Sequence, residues 1–170
     1  TTLMEDVGHD RGWQLPSKTN VDPFSALGYY FAKQLSNETP GVPVGVIEIA
    51  AGGMALNAFF PNELADEMKI DMLTNGIYTA PSAAGNVATR FVYNQYMYPF
   101  QRFSTAGIIW YQGESDLQDF NASEYAERFT ALMEEYRARF DLLYHPDIPV
   151  YVVELPSIYR EPADYSSAAQ

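Results

Sequence analysis

Apolar positions along the chain fall into two kinds of pattern. In some segments they recur at three- and four-residue steps, the spacing of one helix face; in others they form short unbroken runs bounded by turn residues. Residues 21–35 are of the first kind. Phe24, Leu27, Phe31 and Leu35 share a face, with Asp22 as the expected N-cap and Pro23 at the first helical position, where a missing N–H costs nothing. Residues 42–53, VPVGVIEIAAGG, are of the second kind and predict a buried strand ending in small residues and a glycine pair. Residues 62–79 predict short irregular helix. Residues 82–100 predict a helix with Val87, Phe91 and Tyr98 on one side and Pro99 as its stop. A second buried strand follows at AGIIWY, residues 106–111. Asn121 with Glu124 forms a capping box for a strongly amphipathic helix carrying Tyr125, Phe129, Leu132, Met133, Tyr136 and Phe140. IPVYVVEL, residues 148–155, predicts a third strand. Residues 1–20 show no periodicity, with Trp13 as their large anchor.

Helices alternating with solid apolar strands predict an α/β parallel sheet buried on both faces. No repeat, low-complexity tract or linker divides the chain, so residues 1–170 read as a single domain. Ligands of such sheets lie beyond the carboxyl ends of the strands. Two of those ends carry unusual chemistry: AAGG after the first strand and QGESD after the second. Both are expected on one rim.

A strand-end glycine pair lets a ligand atom approach the backbone N–H groups closely, because no Cβ stands in the way. The carboxamide of Gln112 offers a further N–H donor. Gly52 or Gly53 together with Gln112 therefore suits an oxyanion hole, in which one donor is typically worth about 3–4 kcal/mol of barrier. The plainer readings stand beside this: Gly-Gly as a turn, and Gln-Gly-Glu-Ser as the cap of the next helix. Glu114 either orients a histidine or holds the loop by accepting backbone N–H groups. Ser115 does not fit the G-x-S-x-G nucleophile elbow and reads as a loop serine.

Composition narrows the chemistry further. Asp and Glu number 22 against 10 Lys and Arg, a formal charge of −12, which disfavours nucleic acid and anionic membrane surfaces as partners. Cysteine is absent, which removes thiol nucleophiles and thiolate metal sites. The two histidines, His9 and His145, are far apart, so no zinc spacing exists, and Glu63, Asp66, Glu67 and Asp71 do not follow the calcium-loop pattern. No metal or cofactor is expected. AAGG lacks both Gly-x-Gly-x-x-Gly and the P-loop lysine, leaving a nucleotide-binding sheet to fold analogy alone. No apolar run approaches the ~20 residues that span a bilayer. Most of the 13 Tyr, 10 Phe and 2 Trp are expected in the core, with a minority available for stacking on sugars.

The blocks FSALGYYFAKQL, VPVGVIEIAAGG, YNQYMYPFQRFSTAGIIWYQGESD, YAERFTALMEEYRARF and IPVYVVELPS resemble, in order, those of sialate O-acetylesterases and related acetylxylan esterases, members of the SGNH (GDSL) hydrolases. The resemblance runs from about Trp13 to Pro156, and its W-Y-Q-G-E-S block is the most specific part. It implies a three-layer α/β/α, flavodoxin-like domain and hydrolysis of acetyl esters on sugars by a serine nucleophile. It places oxyanion donors at Gly52 (or Gly53) and Gln112, a triad acid or site organiser at Glu114, and a rim-lining, substrate-binding or structural residue at Asn94. It also implies a secreted or periplasmic setting.

The chain departs from the pattern in three places. No Gly-Gln-Ser-Asn block lies between Thr1 and Pro23, no Asp-x-x-His block follows the third strand, and Met54 stands where Thr or Ser is usual. The domain is thus expected to be incomplete at both ends. The nucleophilic Ser and the basic His are expected outside residues 1–170, in the remainder of the same chain or in a second chain. The alternative function is a non-catalytic glycan-binding module derived from such an esterase.

Overall fold

The computed structural model of the chain describes residues 3, 12–70, 92–116, 122–140 and 147–156. Two parallel strands form its sheet: β1, Ile108–Trp110, and β2, Val150–Val152, paired with Ile108 opposite Val150, Ile109 opposite Tyr151 and Trp110 opposite Val152. The ladder continues past both strand ends, through Ile108 N–H to the Pro149 carbonyl and Val153 N–H to the Trp110 carbonyl, each at 2.9 Å.

Between the two strands in sequence runs the long helix that the apolar spacing predicts, Ala122–Arg139. Parallel neighbours cannot be joined by a tight turn, and a crossover helix is the usual solution. Leu132, Met133, Tyr136 and Phe140 of the predicted face are buried, with Tyr125 and Phe129 packed against them. The expected cap residue, Asn121, lies outside the described residues.

Among the described residues three α-helices precede the sheet. A single turn, α1, spans Lys18–Val21; α2 spans Ala26–Glu38; α3 spans Asn62–Glu67. The crossover helix is α4. The predicted start of α2 is corrected by three residues. Asp22 closes α1, and Ser25 caps α2, its Oγ accepting from Gly28 N–H at 3.2 Å. A turn from Val21 to Phe24, closed by a 3.0 Å backbone bond, separates the two helices and takes Pro23 out of the first helical position. Ser25 N–H in turn donates to Glu48 at 3.1 Å, tying the helix start to the segment that follows it. On the face expected to be buried, Phe31 and Leu35 each remain 40% exposed.

The first predicted strand is also corrected. Residues 42–50 belong to no helix or strand, and no ladder joins them to β1 or β2 among the described residues. A strand exists only where a neighbour supplies donors and acceptors along its edge, and an apolar run does not bring that neighbour with it. Gly45 does pack closely: a Cβ there would stand 2.9 Å from the Trp13 ring.

The core lies where α4 meets the chain around two irregular turns. Leu56–Phe59 forms a 3-10 turn, and Tyr93–Met97 a π-helix that runs into a second 3-10 turn at Tyr98–Phe100. Residues 82–91 of the third predicted helix lie outside the described residues, and its Pro99 sits in that last turn. Leu56, Phe60, Val92, Tyr93, Leu132 and Tyr136 are almost wholly buried. Each large apolar side chain of this kind contributes roughly 1.5–3 kcal/mol relative to exposure. Tyr136 also donates its buried hydroxyl to the Phe59 carbonyl at 2.7 Å, fastening α4 to the 3-10 turn. Two layers, helix against a small parallel sheet, are thus in place; beside them the loop after β1 meets the segment that follows the glycine pair.

Candidate functional site

The site begins with the two loops singled out by their glycines. After residues 42–50 the chain turns at Gly52 and Gly53, and Gly53 adopts φ +73°, a conformation that glycine reaches without strain. Gly52 is exposed, and a Cβ on it would meet nothing within 4 Å. After β1 the chain passes through exposed Tyr111 and half-buried Gln112 to buried Gly113, at φ +145°. A Cβ on Gly113 would come within 2.9 Å of Leu155 Cδ1, so a side chain there requires the Leu155 methyl to shift and also meets the φ that glycine favours. Glu114 and Ser115 make the turn that follows, closed by Asp116 N–H donating to the Gly113 carbonyl at 3.1 Å.

Gln112 joins the two loops. Its Nε2 donates to the Met54 carbonyl at 3.0 Å and to Asp116 Oδ2 at 2.5 Å. Asp116 reaches the same neighbourhood from its other side, both carboxylate oxygens accepting from Leu56 N–H at 3.2 and 3.0 Å. At the opposite end of the carboxamide, Oε1 accepts from the Tyr125 hydroxyl at 2.9 Å, and that hydroxyl also lies 3.1 Å from the Gln112 main-chain carbonyl. Trp110 Nε1 donates to the Tyr125 oxygen at 3.0 Å. The carboxamide is therefore held from α4 by Tyr125, from its own loop by Asp116 and from the loop beyond Gly53 by Met54, with Trp110 of β1 behind Tyr125. Both of its N–H groups are engaged.

Burial is the main reason the Tyr125 phenol is raised above its ordinary value of 10.0; the Trp110 hydrogen bond works against this, while the charges of Asp116 and Glu114 add to it. Tyr125 thus keeps its proton throughout the neutral range and remains a donor to Gln112.

Glu114 is exposed at the turn and acts on the network through that charge. Ser115 is half-buried in the same turn. Asn94 lies in the π-helix at 1% exposure, and this segment packs against the Leu56–Phe59 turn that follows the glycine pair. π-turns of this kind are frequent near functional sites. His9 and His145 lie outside the described residues. Among the described residues no cluster of three or more His, Cys, Asp or Glu side chains is arranged to hold a metal, and no helix is long and apolar enough to cross a membrane.

The structure brings Gln112 to the Met54 carbonyl, one residue beyond the Gly52–Gly53 turn. Three members of the site carried no functional weight in the sequence: Asp116, Tyr125 and Trp110. Tyr125 and Trp110 were absorbed into apolar patterns, and the only signal for either is a polar tip on an otherwise apolar face.

Chemically, the arrangement presents an open backbone turn and, one residue beyond it, a carbonyl that accepts from the Gln112 carboxamide. Such a pairing suits binding of an oxygen that carries or develops negative charge.

A family model described as carbohydrate esterase, sialic acid-specific acetylesterase matches residues 14–170. The human (Homo sapiens) sialate O-acetylesterase is 27% identical over 143 residues, covering 81% of this chain and 27% of the relative; that of Pongo abelii matches equally. The Rattus norvegicus sialate O-acetylesterase is 24% identical over 168 residues, covering 81% of this chain and 31% of the relative. The chain thus spans under a third of the length of the curated relatives it matches.

Proposed function

On the footing that the chain belongs to the carbohydrate esterase family of sialic acid-specific acetylesterases, we propose that it forms the oxyanion-binding part of a serine O-acetylesterase acting on acetylated sugars. The proposed fold of the complete domain is a three-layer α/β/α sandwich. A serine attacks the acetyl carbon, its proton passing to a histidine; the carbonyl oxygen becomes an alkoxide held by backbone N–H at Gly52 or Gly53 and by Gln112. Collapse releases the sugar hydroxyl, which takes the proton from the histidine. Water, activated by the same histidine, then frees acetate. The serine and histidine come from outside residues 1–170, in the rest of the polypeptide or in a second chain. Glu114 orders the loop or the histidine, and Asn94 supports the rim from beneath.

The observation that carries this reading is the 3.0 Å contact between Gln112 Nε2 and the Met54 carbonyl, which sets the carboxamide beside the glycine turn across 58 positions of sequence. For Gln112 to serve the alkoxide, its N–H exchanges one present partner for the substrate oxygen.

Because both N–H groups of Gln112 are engaged and Met54 replaces the usual hydroxyl residue, a second reading stays in play: a glycan-binding module without catalysis. A fluorophosphonate probe applied to the full-length protein separates the two. Labelling of a single serine, together with release of acetate from an O-acetylated sugar, is the expected result. No labelling alongside retained glycan binding would replace the esterase by the module.

A further inference from the structure

We infer that Tyr125 and Asp116 are positioning residues that fix which end of the Gln112 carboxamide faces the glycine turn and which of its N–H groups is released to substrate. This rests on the esterase reading above and deepens it.

Hydrogen-bond polarity dictates the orientation. The indole N–H of Trp110 can only donate, so at 3.0 Å the Tyr125 oxygen must accept from it. The single phenolic proton then points away from Trp110, and its acceptors at 2.9 and 3.1 Å both belong to Gln112, as side-chain Oε1 and main-chain carbonyl. With Oε1 at the Tyr125 end, the nitrogen must lie at the other. Its neighbours there are the Met54 carbonyl and the Asp116 carboxylate, groups that accept and do not donate. A flipped amide would set a carbonyl oxygen against two groups that only accept, the Met54 carbonyl and the Asp116 carboxylate, and it would take from Oε1 the phenolic proton that Tyr125 offers it. Direction therefore runs one way, from Trp110 through Tyr125 to Gln112 and out toward the glycine turn.

The two N–H groups are not equivalent. The one at 2.5 Å from Asp116 Oδ2 is bonded to a carboxylate, whereas the one at 3.0 Å meets a neutral carbonyl. Hydrogen bonds to charged acceptors are roughly twice as strong as neutral ones. The N–H at Met54 is thus the exchangeable one, and it is also the one on the glycine-turn side. Asp116 does two jobs at once, since the same carboxylate accepts from Leu56 N–H and so holds the chain that emerges from the turn. Tyr125 anchors the oxygen end, Asp116 anchors one hydrogen, and the remaining hydrogen is left for substrate.

The test uses the full-length protein with 4-nitrophenyl acetate and an O-acetylated sugar as substrates. Q112A is expected to lower kcat about 100-fold or more. Y125F is expected to lower kcat about 10-fold with KM changed less than about 2-fold, because orientation matters most in the transition state. D116A should exceed Y125F, and D116N should recover part of the loss by restoring an acceptor oxygen. In the Q112A background Y125F should add nothing, since two residues acting through one carboxamide are not additive. A damaging Q112A with Y125F at wild-type kcat, or with fully additive losses, overturns the positioning role while leaving the esterase reading intact. A silent Q112A overturns the donor role of Gln112 and, with it, the positioning proposal. A readout independent of activity and of variant folding is the Gln112 side-chain amide in the wild-type protein. Two resolved protons exchanging slowly with solvent, the one toward Asp116 the slower, are expected; fast, averaged exchange overturns the assignment.

Discussion

Gly113 and Gly52 lie on the two loops that Gln112 joins, yet a methyl group added to each would meet opposite surroundings. At Gly113 it would collide with Leu155 in a buried turn at φ +145°; at Gly52 it would stand in open space. The loop after β1 is a built object, pinned by the parallel ladder beneath it and by α4 beside it. The loop around Gly52 and Gly53 follows a segment that joins no ladder among the described residues and is held from across the gap, through Met54 and Leu56. A site of this kind has one rigid wall carrying its side chain and one accessible wall carrying its backbone. The rigid wall positions the accessible one.

Four outcomes break or sharpen that contrast. The largest effect is expected from Q112A, which removes the Met54 link and leaves that of Asp116 to Leu56: about 3 kcal/mol of transition-state stabilisation in the full-length enzyme, read as kcat/KM. Wild-type activity in this variant would show that the Met54 link does not serve catalysis. Next is Gly113→Ala on the rigid wall, where overpacking and an unfavourable φ combine to cost about 2–3 kcal/mol, read as a melting temperature lower by roughly 5–10 °C. An unchanged melting point would show that this loop yields more easily than its packing implies. Gly53→Ala, at φ +73° on the accessible wall, should cost about 1 kcal/mol of stability by denaturant titration. Smallest is Gly52→Ala, within about 0.5 kcal/mol of wild type by the same titration; a larger loss would mean that the open wall is packed as tightly as the closed one.

The rigid wall also carries a pH signature. Burial raises the phenols of Tyr93, Tyr125 and Tyr136 above 10.0, Tyr136 by far the most. The folded state therefore holds these protons more tightly than the unfolded chain does. The stability they contribute is complete below about pH 10 and declines as pH rises toward and through the folded values. Denaturation midpoints compared at about pH 8 and about pH 11 should show the loss. Y125F should remove part of it.

The helix α4 was legible because its buried positions repeat at a period set by helix geometry, and Leu132, Met133, Tyr136 and Phe140 needed no knowledge of what they would touch. The centres of β1 and β2 were legible for the same reason, as solid apolar runs between turn signals. The cap of α2 was misplaced because Asp22-Pro23 and Ser25 are both good starting signals. The Val21–Phe24 turn and the reach of Glu48, 23 positions away, selected Ser25. The π-helix at Tyr93–Met97 has no sequence period of its own, so nothing in the pattern announces it. At the site, the glycine pair and Gln112 stood out as polar or small residues ending apolar runs. Asp116 bonding Leu56 across 60 positions did not, because the meaning of that carboxylate comes from a partner that only the fold delivers.

By itself the sequence determined the mixed helix and parallel-strand character, the amphipathic crossover helix, the centres of β1 and β2, and the family. These are properties of local periodicity and residue type, which act over a few neighbouring positions. Only the tertiary structure decided that residues 42–50 join no ladder among the described residues, that Gln112 bridges the two loops, and that Tyr125 and Asp116 meet its carboxamide while Trp110 meets Tyr125. Hydrogen-bond polarity depends on which donor meets which acceptor across the fold, and that pairing is written in no single stretch of chain.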